Sequence, residues 1–354
     1  MSTHRITALV LAHLGLVVGC RSSETPTQNG APAAAPPRPL ASAPSTTVEP
    51  RAPAPSIASA SAGVEPAAST SAAVAIAASA TPTSPKAASG ALGKPCGPGN
   101  SCSAGLYCQR NFTGAGFLPG GTCVDHPPIY EGRPLVVDGI GRRAPEIGAA
   151  WSPTPARVDA VDAVLAEELA RGALEEHASI AAFARTICCL VALGAPETLL
   201  TKTAAALSDE IRHARDAFAL ASALGGAPVG PGPLPEAVAP LAEGPGFART
   251  LLLDVLRGGC VGESLAAARA SSRATDPTCP SDVRAFYIRI ADDEARHAAL
   301  AFETARFLVD RDPTLIDVVR EVRSHLDATT RMLVGEVFAA VFGADGSSGV
   351  AESA

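Results

Sequence analysis

Residues 209–218 read DEIRHARDAF and residues 293–302 read DEARHAALAF; seven of the ten positions are identical. Each copy holds a Glu-x-x-His, at Glu210/His213 and Glu294/His297. On a helix, positions i and i+3 lie on one face about one turn apart, close enough to share a metal ion. One such pair means little by itself. Two of them, inside matched decapeptides, point to a site built from two similar halves.

The surrounding pattern is helical from about residue 157 onward. Its apolar periodicity and breaks predict helices over 157–193, 196–224, 246–272, 281–311 and 313–343. Pro196 and Pro313 suit first turns, and Ser281 suits an N-cap. Upstream of each pair lies a further carboxylate. Glu176 falls on the apolar stripe of Leu165, Leu169, Ile180, Phe183, Ile187 and Leu190, with Glu175 beside it, and Glu263 lines up with Leu252, Leu256, Cys260 and Ala267. A carboxylate on an apolar stripe is costly unless something satisfies it, and a cation would. The spacings, 34 from Glu176 to Glu210 and 31 from Glu263 to Glu294, fit antiparallel helices meeting near their middles. Residues 225–245, extended, reach ~65 Å, enough to run the length of a helix and allow a long crossover between two hairpins.

The N-terminal half is different in kind. Residues 1–19 combine Arg5 with a short apolar core and read as a signal peptide. Val17-Val18-Gly19-Cys20 resembles the lipobox of bacterial lipoproteins, which would make Cys20 the lipid-bearing residue of a chain held at the cell envelope, outside the cytoplasm. In residues 21–94, 53 of 74 positions are Ala, Pro, Ser or Thr, too poor in large apolar groups to form a core, so 20–94 is expected to be a disordered, lipid-anchored linker. Cys96, Cys102, Cys108 and Cys123 define a small module over 95–125. Two disulfides suit an exported chain, and a four-cysteine zinc site is the competing reading; spacing does not choose among the three pairings. Residues 126–156 read as an irregular packed connector, ahead of a helical domain over 157–345.

The net charge of −7 excludes nucleic acid as a natural partner, and no internal apolar run is long enough to span a bilayer. Membrane contact is expected through the N-terminal lipid only. Self-association stays open.

One Glu and one Glu-x-x-His in each of two halves resembles the ferritin-like di-iron carboxylate superfamily over roughly 157–311, and the words EHASIAAFAR, DEIRHA, GCVGES and DEARHA also resemble a group of bacterial ferritin-like lipoproteins. That resemblance implies an all-α, ferritin-like four-helix bundle with a crossover connection and a C-terminal helix. It implies two iron ions, or manganese, held by Glu176, Glu210, His213, Glu263, Glu294 and His297, with Glu210 and Glu294 bridging. The fuller Asp-Glu-x-Arg-His is similar to the repeated motif of di-iron monooxygenases. It implies that Asp209 and Asp293 orient the imidazoles across the site while Arg212 and Arg296 tie those carboxylates down. The chain departs from the pattern in having Phe183 where several members carry Tyr, and in lacking rubredoxin-like Cys pairs, which leaves the electron donor unidentified. The expected function is an oxidoreductase activating O2 or peroxide. The alternatives are a non-catalytic metal-binding lipoprotein and a structural one.

Overall fold

The computed structural model describes residues 3–15, 91–97, 102–103, 106–113, 116–125, 130–137, 140–151, 153, 162–241, 243–244 and 246–343. The lipobox-like Val17–Cys20 and the linker as far as residue 90 lie outside the described residues.

Two long helical hairpins carry the fold. Helix α2 (Ala163–Ala192) turns through residues 193–196 into α3 (Glu197–Gly225). A second long helix comprises α4 (Phe247–Asp254), a π-helical stretch Val255–Glu263 and α5 (Ser264–Thr275), and turns through 276–280 into α6 (Ser281–Arg311). Contacts fix the directions. Lys202 meets Glu303, Asp209 meets Arg296, and Asp216 meets Arg289, so α3 and α6 are antiparallel. The helix after the crossover therefore runs the same way as α3, and residues 226–246 must return along the bundle to start it.

Local chemistry explains the ends. Asp162 is extended and accepts from Leu165 N at 3.0 Å, so α2 starts at Ala163 rather than at 157. Gly226, at φ +68°, closes α3 in the left-handed conformation glycine tolerates. Pro280, not Ser281, occupies the N-cap position of α6, and no side chain caps that end. Pro196 stands one residue before α3, where its missing N–H costs nothing.

The expected C-terminal helix over 313–343 is instead two helices after a 3-10 turn: α7 (Ile316–Ser324) and α8 (Ala328–Phe342). The break is chemical. Asp327 is extended and caps a new helix by accepting from Thr330 N at 2.9 Å. Phe338 of α8 packs against Phe302 of α6 at 5.1 Å.

Residues 3–13 form α1 (Thr3–His13), whose Ile6, Val10 and Leu11 are buried in the same apolar cluster. Thr7 donates to the Leu333 carbonyl of α8 at 2.7 Å. No helix among the described residues is long and apolar enough to cross a membrane.

The cysteine module is a hairpin of β1 (Tyr107–Thr113) and β2 (Gly116–Val124). Its disulfides join Cys96 to Cys108 and Cys102 to Cys123, which removes the zinc reading.

The connector is more ordered than expected. It contains a small hairpin of β3 (Leu135–Val137) and β4 (Ile140–Arg142). Its β5 (Glu146–Ile147) pairs with β6 (Gly230–Pro231) from the crossover. Its first part, residues 130–134, is a strap laid on the bundle. Gly132 N donates to Gly262 O at 2.8 Å, and Ser179 of α2 donates to Arg133 O at 2.8 Å.

Candidate metal centre

The strap lies on α2 and on the second long helix, and its Gly132 passes close to Glu263. The inward stripe of the π-helical segment follows the sequence pattern: Leu252, Leu256, Cys260 and Ala267 are all buried, and Glu263 with them. The π-helical geometry was not legible, because periodicity alone assumes a regular α-helix. Its signal was glycine. Gly258, Gly259 and Gly262 sit in a helix where each costs about 1 kcal/mol against alanine. The structure uses them for close approach: a Cβ on Gly259 would stand 2.5 Å from Ala301 Cβ, and one on Gly262 would stand 2.1 Å from Gly132 O.

Six side chains converge here. Glu210, His213, Glu263, Glu294 and His297 are each 1% exposed. Glu176 faces them from α2 and also borders a cavity of about 50 Å³. Its neighbour Glu175 points outward and pairs with Arg143 at 2.8 Å. The ligand atoms fall into two overlapping groups, Glu176/Glu210/His213/Glu294 and Glu210/Glu263/Glu294/His297, each within 4.8 Å. Glu210 and Glu294 belong to both.

The histidines are held crosswise. His213 Nε2 lies 3.1 Å from Asp293 Oδ2, and His297 Nε2 lies 3.3 Å from Asp209 Oδ2, so each ring is oriented by the other hairpin. Arg212 donates to Asp209 at 2.6 Å and to Asp293 at 2.9 Å, and Arg296 contacts the same two carboxylates. With the proton on Nε2, the Nδ1 lone pairs face the carboxylates; the closest approach is His297 Nδ1 to Glu210 Oε1 at 2.9 Å.

Both Nδ1 atoms, both Glu210 oxygens, Glu263 Oε1 and Glu294 Oε1 are buried without a hydrogen bond among the described residues. Acceptors thus face acceptors in a region sealed from water. Only shared protons or a cation make that arrangement stable. This buried Glu/His cluster could hold a metal ion, and its donors, carboxylate oxygens with one imidazole nitrogen per group, are those a divalent transition metal takes.

Without a metal, the surroundings favour protonation of several of these groups. Burial, then the charge of neighbouring Glu210, pushes Glu176 well above the usual carboxylate range; burial and Glu294 do the same to Glu263. Burial opposes charge on His213, but Asp293 and the clustered carboxylates raise it, and His297 is raised likewise by Asp209 and Glu210. Burial would lift Asp293, yet His213 and Arg212 bring it down to about 2.

The chain matches no family model. No curated protein and no solved structure matches it either.

Two residues near the site escaped sequence reasoning, both on the strap. Glu131 is bonded by Arg269 at 3.0 Å, and burial raises its carboxyl. Arg133 lies over the Phe183 ring at 4.5 Å and donates to Thr186 Oγ1 at 3.0 Å. The available signal was a charged pair flanking a glycine in an otherwise Gly/Pro-rich connector. His177 stays outside the cluster, edge-on to Trp151 at 5.3 Å. Cys189, Cys260 and Cys279 are buried thiols and Cys188 is an exposed one.

Asp209→Asn and Asp293→Asn, singly, should each lower metal affinity about 10- to 100-fold by losing the acceptor that fixes one imidazole. Competition with a chelator of known affinity would measure it. Unchanged affinity in both would remove the orienting role.

Proposed function

We propose that this chain is a di-metal carboxylate oxidoreductase with a ferritin-like bundle, exported and lipid-anchored at Cys20, using iron with manganese as the rival metal. One observation carries this reading: the unsatisfied buried ligand atoms form two groups that share Glu210 and Glu294. Four carboxylates and two imidazoles from four helices are the donor set of di-iron bundles, and the crossover between like-directed helices supports the ferritin-like topology.

Two iron ions bound there would supply redox chemistry toward O2 or peroxide. The chain's own groups set the conditions. Glu210 and Glu294 would hold both ions together, Glu176 and His213 would complete one position, and Glu263 and His297 the other. Asp209 and Asp293 hold the proton on Nε2 of each ring. Phe183, packed edge-on to His297 at 5.5 Å, and the strap keep water out.

Metal loading should displace protons, because Glu176, Glu263 and the imidazoles all have their protonated forms favoured by the site. These groups sit above their usual values, so fewer protons compete as pH rises, and apparent affinity should climb with pH. Calorimetry in buffers of different ionisation enthalpy would show proton release. Uptake without release, or affinity falling as pH rises, would contradict the assignment.

The deciding experiment is metal content after anaerobic Fe(II) loading of the full-length chain, followed by O2 consumption. About two irons per chain with rapid O2 uptake supports the oxidoreductase reading. Two bound metals without uptake supports a non-catalytic metal-binding lipoprotein. No bound metal overturns both. Lipidation is tested by the mass of the N-terminal peptide from native envelopes; an unmodified Cys20 would remove the anchor. Release of residues 1–19 would also take α1 off α8.

A further inference from the structure

A cavity of about 430 Å³ is lined by Arg133, whose guanidinium lies 4.5 Å over the Phe183 ring, and the same ring stands 5.5 Å from His297 of the Glu/His cluster. The strap and β3 form one wall, α2 a second, and the segment from Phe247 to Gly258 a third. Its size is that of a small-molecule site, and most of its lining is apolar, including Val136, Leu241, Leu251 and Leu253.

Its charged groups are unequal. Arg185 is committed to the carbonyls of Ala239 and Pro240, and Arg257 faces Glu321 at 3.8 Å. Arg133 is different. It is 6% exposed, it forms no ion pair among the described residues, and its guanidinium has one hydrogen-bond acceptor there, Thr186 Oγ1. A guanidinium has five N–H donors in a fixed fork suited to a carboxylate. A buried cation with so few partners is expensive unless a ligand completes it. Asp254 stands in the same cavity, exposed to it and outside any ion pair among the described residues. Its charge would turn an anionic group away from its own wall and toward Arg133.

We propose that this cavity binds a small organic monocarboxylate with an apolar body, its carboxylate on Arg133 and its body against Leu251, Leu253 and Val136. The bound carboxylate would lie one aromatic ring from His297, since Phe183 touches both Arg133 and that histidine. That this ligand is the substrate rests on the oxidoreductase reading; that it binds does not.

The test is calorimetry on the metal-free, full-length chain with three probes of one shape: phenylacetate, phenylacetamide and phenethylamine. Phenylacetate should bind saturably at one site, about tenfold or more tighter than the amide, because only the anion gains charge-assisted bonds. The amine should show no saturable binding. Arg133→Gln should cost phenylacetate a similar factor, and Thr250→Trp, an exposed position on the cavity lining, should block it. The probe series needs only the native chain, so it stands even if Arg133→Gln fails to fold. No saturable phenylacetate binding, equal binding of acid and amide, or preference for the amine overturns the proposal. Because no metal is present, failure here leaves the metal centre untouched, and failure of metal loading leaves this site untouched.

Discussion

Replacing Glu210 and Glu294 together by alanine should drop bound metal from about two ions per chain to none. These two carboxylates belong to both ligand groups, so no intact position survives their loss. Stability should report the same event. A ligand that binds only the folded state stabilises it by about 2.7 kcal/mol per site at a hundredfold excess over Kd. The wild-type melting temperature should therefore rise sharply on metal addition, while the double variant, still helical by circular dichroism, should not respond. A wild-type protein whose melting ignores Fe(II) and Mn(II) alike would reduce the cluster to a proton-bridged core.

Gly262→Ala should be the most damaging single methyl group. Its Cβ would meet Gly132 O at 2.1 Å and Tyr130 O at 2.9 Å, and backbone does not step aside cheaply. The strap would have to lift, breaking the Gly132–Gly262 hydrogen bond. Overpacking of this kind costs about 1–3 kcal/mol or more, outweighing the roughly 1 kcal/mol gained in helix propensity. Gly172→Ala in α2 is the control, since nothing lies within 4 Å of its Cβ. It should stabilise the protein by about 0.5–1 kcal/mol. Chemical denaturation of the two variants gives both signs in one experiment. Equal effects would mean that the strap does not press on the helix.

The helices, the turns between them and the six converging side chains were legible because a repeated decapeptide and an apolar stripe both survive in one dimension. Glu176 could be told from Glu175 only by its place on that stripe, and the structure separates them in the same way. The strap was not legible, because Glu131 and Arg133 owe their positions to docking on Gly262 and Ser179, far away in sequence. The π-helical stretch was hidden for the same reason: its glycines answer to Ala301 and Gly132, not to their own neighbours. At Asp327 a local cap outweighed a continuous helical pattern.

The crosswise pairing of Asp209 with His297 and Asp293 with His213 has the form of an isologous contact, in which i meets j and j meets i. One hairpin supplies two carboxylates, an imidazole, and the acceptor and arginine that steady its opposite number. A protomer reduced to either hairpin would carry a full half-set, and two identical copies could rebuild the constellation about a twofold axis. The covalent crossover frees the halves from remaining identical. One half carries the π-helical stretch and the other the α2 wall of the cavity, so a symmetric cluster faces asymmetric surroundings.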